Sequence, residues 1–313
     1  MRDVATMKHD RWAGRDVGAS KKNYVSARKN CVGGLGIRLE QLSATPRGLR
    51  VDTPLAGSHN RQMPILCYSE HSPPPTLNRV VDAVWSVAVD PGGDATPQHW
   101  VLPDGCVSVS AHFHEHMIAV HMRPASAVAF RKPCTPGEKM VGLRIRPGHQ
   151  RSIDLEELVR RLDGQSSPRS FADAERLLCD AAAWSLRDEP DARIRLMVDR
   201  LRDSKGSAVI RELAEASGVS DRHLERLSRV ALGFPPKVLA RIVRLQAAVR
   251  DIVTRPARNL NQNLADTAAA TGYADQAHLR RDFVALAQLP PSGYLRLIRD
   301  FRFTLGKPMS DSF

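Results

Sequence analysis

Arg222, Glu225, Arg226 and Arg229 stand three and four residues apart, the spacing that gathers side chains on one helix face. A second polar set, Gln276, His278, Arg280 and Arg281, follows further along the chain. These side-chain types can read the edges of base pairs. Arginine can bond guanine O6 and N7 together, glutamine can bond adenine N6 and N7, and glutamate can accept from cytosine N4. The plainer alternatives for each are a phosphate contact, which takes half or more of protein–DNA hydrogen bonds, and a solvated charged face.

Such side chains act only if a helix holds them outward, and the flanking residues supply one. Ile210, Leu213 and Ala214 give a short amphipathic helix, with alanine where a second helix must cross closely. Gly218 can take the left-handed conformation that closes it, Val219 plugs the corner, and Ser220 is a good N-cap for the next helix. Leu224 and Leu227 then point inward, which leaves the charged set outside. The second set has the same setting. Leu264 to Ala270 forms a short helix, Thr271-Gly272-Tyr273 a turn, Asp275 a cap, and Leu279 and Phe283 an inward stripe. Gly272 stands 54 residues after Gly218. One such helix-turn-helix pattern is common among core helix pairs, but two copies in one block are hard to obtain by accident. The run from Lys237 to Val253 reads as a helix joining them, long enough to hold both about one DNA turn, roughly 34 Å, apart.

The charge agrees. The net formal charge is +12 and the sequence pI is about 10.0. Over 192–300, 19 Lys and Arg stand against 11 Asp and Glu, whereas 63–191 is mildly acidic. A basic domain gains affinity for phosphate polymers by counterion release. The organisation read from the chain is a basic, glycine-containing extension over 1–62, expected to be disordered, with Met63 opening a different kind of sequence. A β-rich domain with trailing helices covers 63–190, an all-α domain 191–300, and a tail 301–313. Within the second, strands are expected over Val80–Val89, Cys106–Phe113, Met117–Met122 and Met140–Arg146, with turns at Pro91-Gly92-Gly93 and Leu102–Gly105. Leu155, Leu158, Val159 and Leu162, then Ala174, Leu177, Leu178 and Ala181, give two helical stripes. The fold class is thus α+β and multidomain: a β-rich N-terminal sensor-like domain, then an all-α domain with two helix-turn-helix units.

Residues 192–296 resemble the DNA-binding domain of AraC/XylS-type transcription regulators. The resemblance rests on Leu213-Ala214, Gly218-Val219-Ser220 and Leu224-Glu225-Arg226, then Gly233-Phe234-Pro235-Pro236-Lys237 and Arg244-Leu245. It is most specific from Gly272-Tyr273-Ala274-Asp275-Gln276 to Asp282-Phe283 and at Pro291-Ser292-Gly293-Tyr294. It implies a sequence-specific regulator whose partner is double-stranded DNA. Base contact would fall to Arg222, Glu225 and Arg226 in the first unit and to Gln276, Arg280 and Arg281 in the second, with Arg229 and His278 on the same interface. It also implies contact with RNA polymerase, activation rather than repression, and a small-molecule effector and a homodimer served by residues 63–190. A cytoplasmic setting with no membrane is expected separately, from scattered cysteines and the lack of an apolar run of about 18 residues. Two positions depart from the family. Ser228 stands where a bulky apolar residue is usual, and Gln288 where glycine commonly follows the second recognition helix.

Other chemistry is thinner. His112, His114 and His116 alternate and would share one strand face, with His99 and His121 near in sequence, a spacing that could ligate a metal. This supports the alternative of a metal-dependent β-barrel enzyme with an appended DNA-binding module. A carboxylate at the expected following position is missing, since Ile118 and Ala119 stand there, so the expectation is a hydrogen-bonded strand face, no metal, no cofactor and no enzyme. The five cysteines, Cys31, Cys67, Cys106, Cys134 and Cys179, are scattered without C-x-x-C spacing. That argues against a zinc site, a disulfide framework and an alkyl-accepting repair function, and leaves Cys106 and Cys134 as weak redox candidates. No Walker loop, Rossmann glycine set or nucleophile elbow is present.

Overall fold

The computed structural model describes residues 36–41, 66–92, 98–114, 117–163, 165–166, 168–187, 189–254, 260–299 and 301–305. The N-terminal half carries strands β1 (Gly36–Gln41), β2 (Leu66–His71), β3 (Val81–Val89), β4 (Gln98–Val101), β5 (Val107–His114), β6 (Met117–Arg123), β7 (Phe130–Pro133) and β8 (Lys139–Ile145). Helices α1 (Leu155–Leu162) and α2 (Phe171–Trp184) follow. The second half is helical: α3 (Ala192–Asp203), α4 (Ile210–Ala216), α5 (Asp221–Leu232), α6 (Pro236–Thr254), α7 (Leu260–Ala270), α8 (Gln276–Ala287) and α9 (Pro291–Arg299). A last strand, β9 (Phe301–Leu305), closes the described chain.

Seven strands make one sheet in the order β1-β6-β5-β8-β3-β2-β9, and β4 pairs with β7 as a separate two-stranded ribbon. The main sheet has two unlike faces because its central strands alternate. Val107, Val109 and Ala111 of β5, Ile118 and Val120 of β6, and Val141, Leu143 and Ile145 of β8 form one core with Leu158, Leu162, Phe171 and Leu178. This is why α1 and α2 cover that side: each offers an apolar stripe and starts at a side-chain cap, Asp154 and Ser170 respectively. The intervening residues, Ser108, Ser110 and His112 of β5 with Arg144 of β8, belong to the other face, where the three β5 residues are buried although polar.

The four strands expected from sequence form within one or two residues of their predicted bounds, and both helical stripes form. Two further strands come from outside the expected β-rich stretch. Within the 1–62 extension, Gly36–Gln41 pairs in parallel with β6, Gly36 opposite Met117 and Gln41 opposite Met122; the rest of that stretch lies outside the described residues. From the 301–313 tail, Phe301–Leu305 pairs in parallel with β2, Leu66 opposite Phe301. Both pairings have the same cause. A sheet edge presents unpaired backbone donors and acceptors, and a short segment from far away in sequence satisfies them without needing its own periodic signal.

The helical half has two cores. Ile194, Met197, Leu201, Leu213, Ala214, Leu224 and Leu239 join α3, α4, α5 and the first part of α6. Leu245, Ala248, Ile252, Leu264, Ala268, Leu279 and Phe283 join the second part of α6 to α7 and α8. Helix α6 is shared, so the two units hang from one rod.

Candidate nucleic-acid interface

The two units are built on the same hydrogen bonds. In the first, Val219 N–H donates to Ala214 O at 3.0 Å, and the Ser217 hydroxyl donates back to Leu213 O at 2.7 Å. In the second, Tyr273 N–H donates to Ala268 O at 3.0 Å, and the Thr271 hydroxyl to Thr267 O at 2.6 Å. Every donor and acceptor in the second pair stands 54 residues after its counterpart in the first. The six-to-one bond is that of a helix closed by a left-handed residue. Gly218 and Gly272 supply that residue at φ +67° and +76°. The next helix is capped in each case: Ser220 Oγ accepts from His223 N–H at 3.3 Å, and Asp275 Oδ1 from His278 N–H at 2.6 Å.

On α5, Arg222, Glu225, Arg226 and Arg229 are all exposed, and Leu224 is buried beneath them. Glu225 holds Arg229 at 2.7 Å across one turn, and Arg226 lies 3.3 Å from the His223 ring. Two of the expected base readers, Glu225 and Arg226, therefore have local side-chain partners on their own helix. On α8, Arg280 and Arg281 are exposed, while Gln276 and His278 are half-buried. The His278 ring stacks edge-on against Tyr273, with centroids 5.1 Å apart, and its Nδ1 accepts from Ala274 N–H at 3.5 Å. His278 thus sits at the edge of the core rather than at the centre of the outward set.

Two exposed apolar side chains on these helices were not among the expected set. Val230 on α5 is 68% exposed and Val284 on α8 is 47% exposed. Each lies four residues after an arginine of the outward set, Arg226 and Arg280. An exposed β-branched side chain there suits the methyl group of thymine. The signal was available, since both valines break the polar face of an otherwise amphipathic helix.

Ser228 and Gln288, the two positions at which the sequence departs from the resemblance, have local accommodation. Ser228 is fully buried, and its hydroxyl donates to Phe234 O at 2.8 Å. Gln288 caps α8 in the left-handed conformation at φ +59°. Helix α8 is tied to the shared rod by Arg241, whose guanidinium reaches the buried Asp282 carboxylate at 2.8 Å and 3.0 Å.

The N-terminal half presents its polar sheet face to the β4–β7 ribbon. Arg144 bonds Glu70 at 2.6 Å, Tyr68 at 3.0 Å and Asp104 at 3.1 Å. From the ribbon, Lys132 reaches Glu138 at 2.8 Å, and the Glu138 carboxylate also meets His112 at 3.0 Å. Burial would raise Glu138, but the hydrogen bonds from His112 and Lys132 outweigh it and hold the carboxyl down to about 2. His99 of the ribbon packs 5.8 Å from the Tyr68 ring, and burial pushes its pKa down to about 4. His112 packs 4.2 Å from His121. His116 and Glu115 lie outside the described residues. Among the described residues no three His, Cys, Asp or Glu side chains gather as metal ligands. Cys106, Cys134 and Cys179 are buried and their thiols pushed up by it, the wrong direction for thiolate chemistry. Among the described residues no helix is long and apolar enough to cross a membrane.

Comparison with known proteins bears on both halves. A family model described as a helix-turn-helix domain matches residues 213–297. A second, described as a domain of unknown function (DUF6597), matches residues 69–156. No curated protein matches the chain by sequence. Among solved structures, ToxT from Vibrio cholerae in its P21 form is 11% identical, covers 64% of this chain and 94% of its own, and has a TM-score of 0.36. Wild-type ToxT of strain SCE256 with a bound unsaturated fatty acid is 9% identical, covers 77% and 98%, and has a TM-score of 0.35.

Proposed function

We propose that this chain, whose C-terminal third is a double helix-turn-helix domain of the AraC/XylS type, regulates transcription by reading two boxes of duplex DNA with α5 and α8. The carrying observation is the bond-for-bond repeat of the turn, Val219 to Ala214 and Tyr273 to Ala268. A repeat at that level gives each unit the same exit angle for its recognition helix. In this reading Arg222, Glu225 and Arg226 read one box and Gln276, Arg280 and Arg281 the other, with Val230 and Val284 against thymine methyls. Arg229 and His278 support the same interface.

Residues 63–190 serve as the responsive domain in this proposal. Its position before the DNA-reading helices, and its contacts with α8 and α6 through Trp100 and Pro103, support that role. Contact with RNA polymerase, activation as the outcome, pairing of two copies and a cytoplasmic setting complete the proposal. No catalytic step is assigned.

The test is selection of a random duplex pool by the full-length chain, followed by footprinting at two salt concentrations. The expected result is an enriched motif of two boxes about one helical turn apart. Salt-sensitive binding with no enriched motif would overturn sequence-specific regulation and leave a general DNA binder.

A further inference from the structure

The second recognition helix ends against the N-terminal half, not in solvent. A helix leaves its last carbonyls without intrahelical donors. In α8 two of them are taken by the β-domain. Trp100 of β4 donates its indole N–H to Ala287 O at 2.9 Å, and the Ala129 amide, just before β7, donates to Leu286 O at 2.7 Å. The Arg131 guanidinium lies 4.8 Å from the Trp100 ring. The following loop spans the rest of the DNA-binding half. Leu102 packs on the core of the second unit. Pro103 O accepts from Gln246 of α6 at 2.6 Å. Gly105 approaches the first unit so closely that an added Cβ would stand 2.9 Å from Leu239 Cδ1 and 3.9 Å from Phe234 Cζ. Ala125 and Ala127 pack on the same first core.

One short segment, Trp100 to Gly105, therefore touches both units and the rod between them. None of these contacts involves Arg222, Glu225 or Arg226 on α5, or Gln276, Arg280 or Arg281 on α8. The segment grips the units from behind and leaves their outward residues uncovered. The same ribbon faces the polar sheet side through His99 and Lys132, two positions that neighbour Trp100 and Arg131 in a two-residue alternation.

We infer that the segment from Trp100 to Gly105 sets the distance and angle between the two recognition helices, and that Trp100 is the positioning residue for the second. The consequence is a strict spacing between the two DNA boxes, fixed by the N-terminal half and not by α6 alone. Trp100 touches no DNA; it acts through the C-terminus of α8. The inference rests on the two-unit reading above, and the experiment separates the two.

Duplexes selected by the wild-type chain are rebuilt with one base pair inserted or removed between the boxes, and full-length wild type is compared with Trp100→Phe. The substitution keeps an aromatic ring and removes the indole donor. Wild type is expected to prefer its selected spacing by about tenfold, the size expected for one mismatched or misplaced contact set. Trp100→Phe is expected to bring that preference within about twofold while its first-box footprint persists, the scale of one lost buried hydrogen bond. A general loss of stability would weaken both boxes together and leave the spacing preference intact, so the readout separates positioning from mere support. If Trp100→Phe folds poorly, Gln246→Leu removes the bond to Pro103 O and carries the same expectation. Wild-type spacing preference in a folded variant would overturn the inference. Wild type that selects no paired boxes would instead overturn the two-unit reading.

Discussion

Ser228 lies fully buried in the first recognition helix, and its hydroxyl donates to the Phe234 carbonyl at 2.8 Å. A polar residue thereby occupies a position that a bulky apolar side chain would fill by packing alone. The bond closes the turn between α5 and α6. Replacing Ser228 with alanine leaves that carbonyl without its donor. The expected loss is about 1–2 kcal/mol of stability, read by urea denaturation, and an unchanged midpoint would show that the bond contributes nothing.

The second helix end behaves in the opposite sense. Gln288 holds φ +59°, a conformation that costs a side-chain-bearing residue about 1 kcal/mol relative to glycine. Its amide nitrogen recovers part of that through Ala285 O at 2.9 Å. Gln288→Gly is therefore expected to stabilise the chain by roughly 0.5 kcal/mol. A lower melting temperature for the glycine variant would mean that the side-chain bond outweighs the strain.

Arg226→Ala should lower affinity for the cognate duplex by about 1–3 kcal/mol and relax preference at one base pair. Competition binding against a panel of single-base variants measures this. An equal loss on every duplex would make Arg226 a phosphate contact.

Gly272→Val places a β-branched side chain at φ +76°. Space is not the obstacle, since the nearest side-chain atom to an added Cβ is 3.7 Å away. The backbone conformation is. The variant is expected to fold around its N-terminal half and lose the footprint of the second box, and wild-type protection of both boxes would refute the turn assignment.

The pH dependence follows from His99, whose pKa burial lowers from 6.5 to about 4. Between those values the unfolded chain binds a proton that the folded chain does not. Stability is thus full above about pH 6.5 and falls as the pH drops towards 4, by on the order of 3 kcal/mol at most. Denaturation midpoints at pH 7 and pH 5 check it, with His99→Gln expected to reduce the difference and the share of His149, whose pKa burial also lowers, expected to remain. Because the ribbon carrying His99 also carries Trp100, the same descent should loosen the hold on α8.

Local features of the fold are legible in the residues themselves. Turn chemistry at Gly218 and Gly272, capping by Ser220 and Asp275, and inward leucines every third or fourth residue specify two helix-turn-helix units, because a helix and its ends are decided by neighbours a few residues away. The outward placement of Arg222, Glu225, Arg226 and Arg229 follows from the same periodicity. Contacts between distant segments are not legible there, because they depend on how the elements pack. Strands β4 and β7 are four residues each, too short for alternation to be read, and β1 and β9 find their partners only because the sheet has open edges. Trp100 and Ala287 stand 187 residues apart. Nothing near either marks the other, since a hydrogen bond across two folded cores depends on where both cores come to rest.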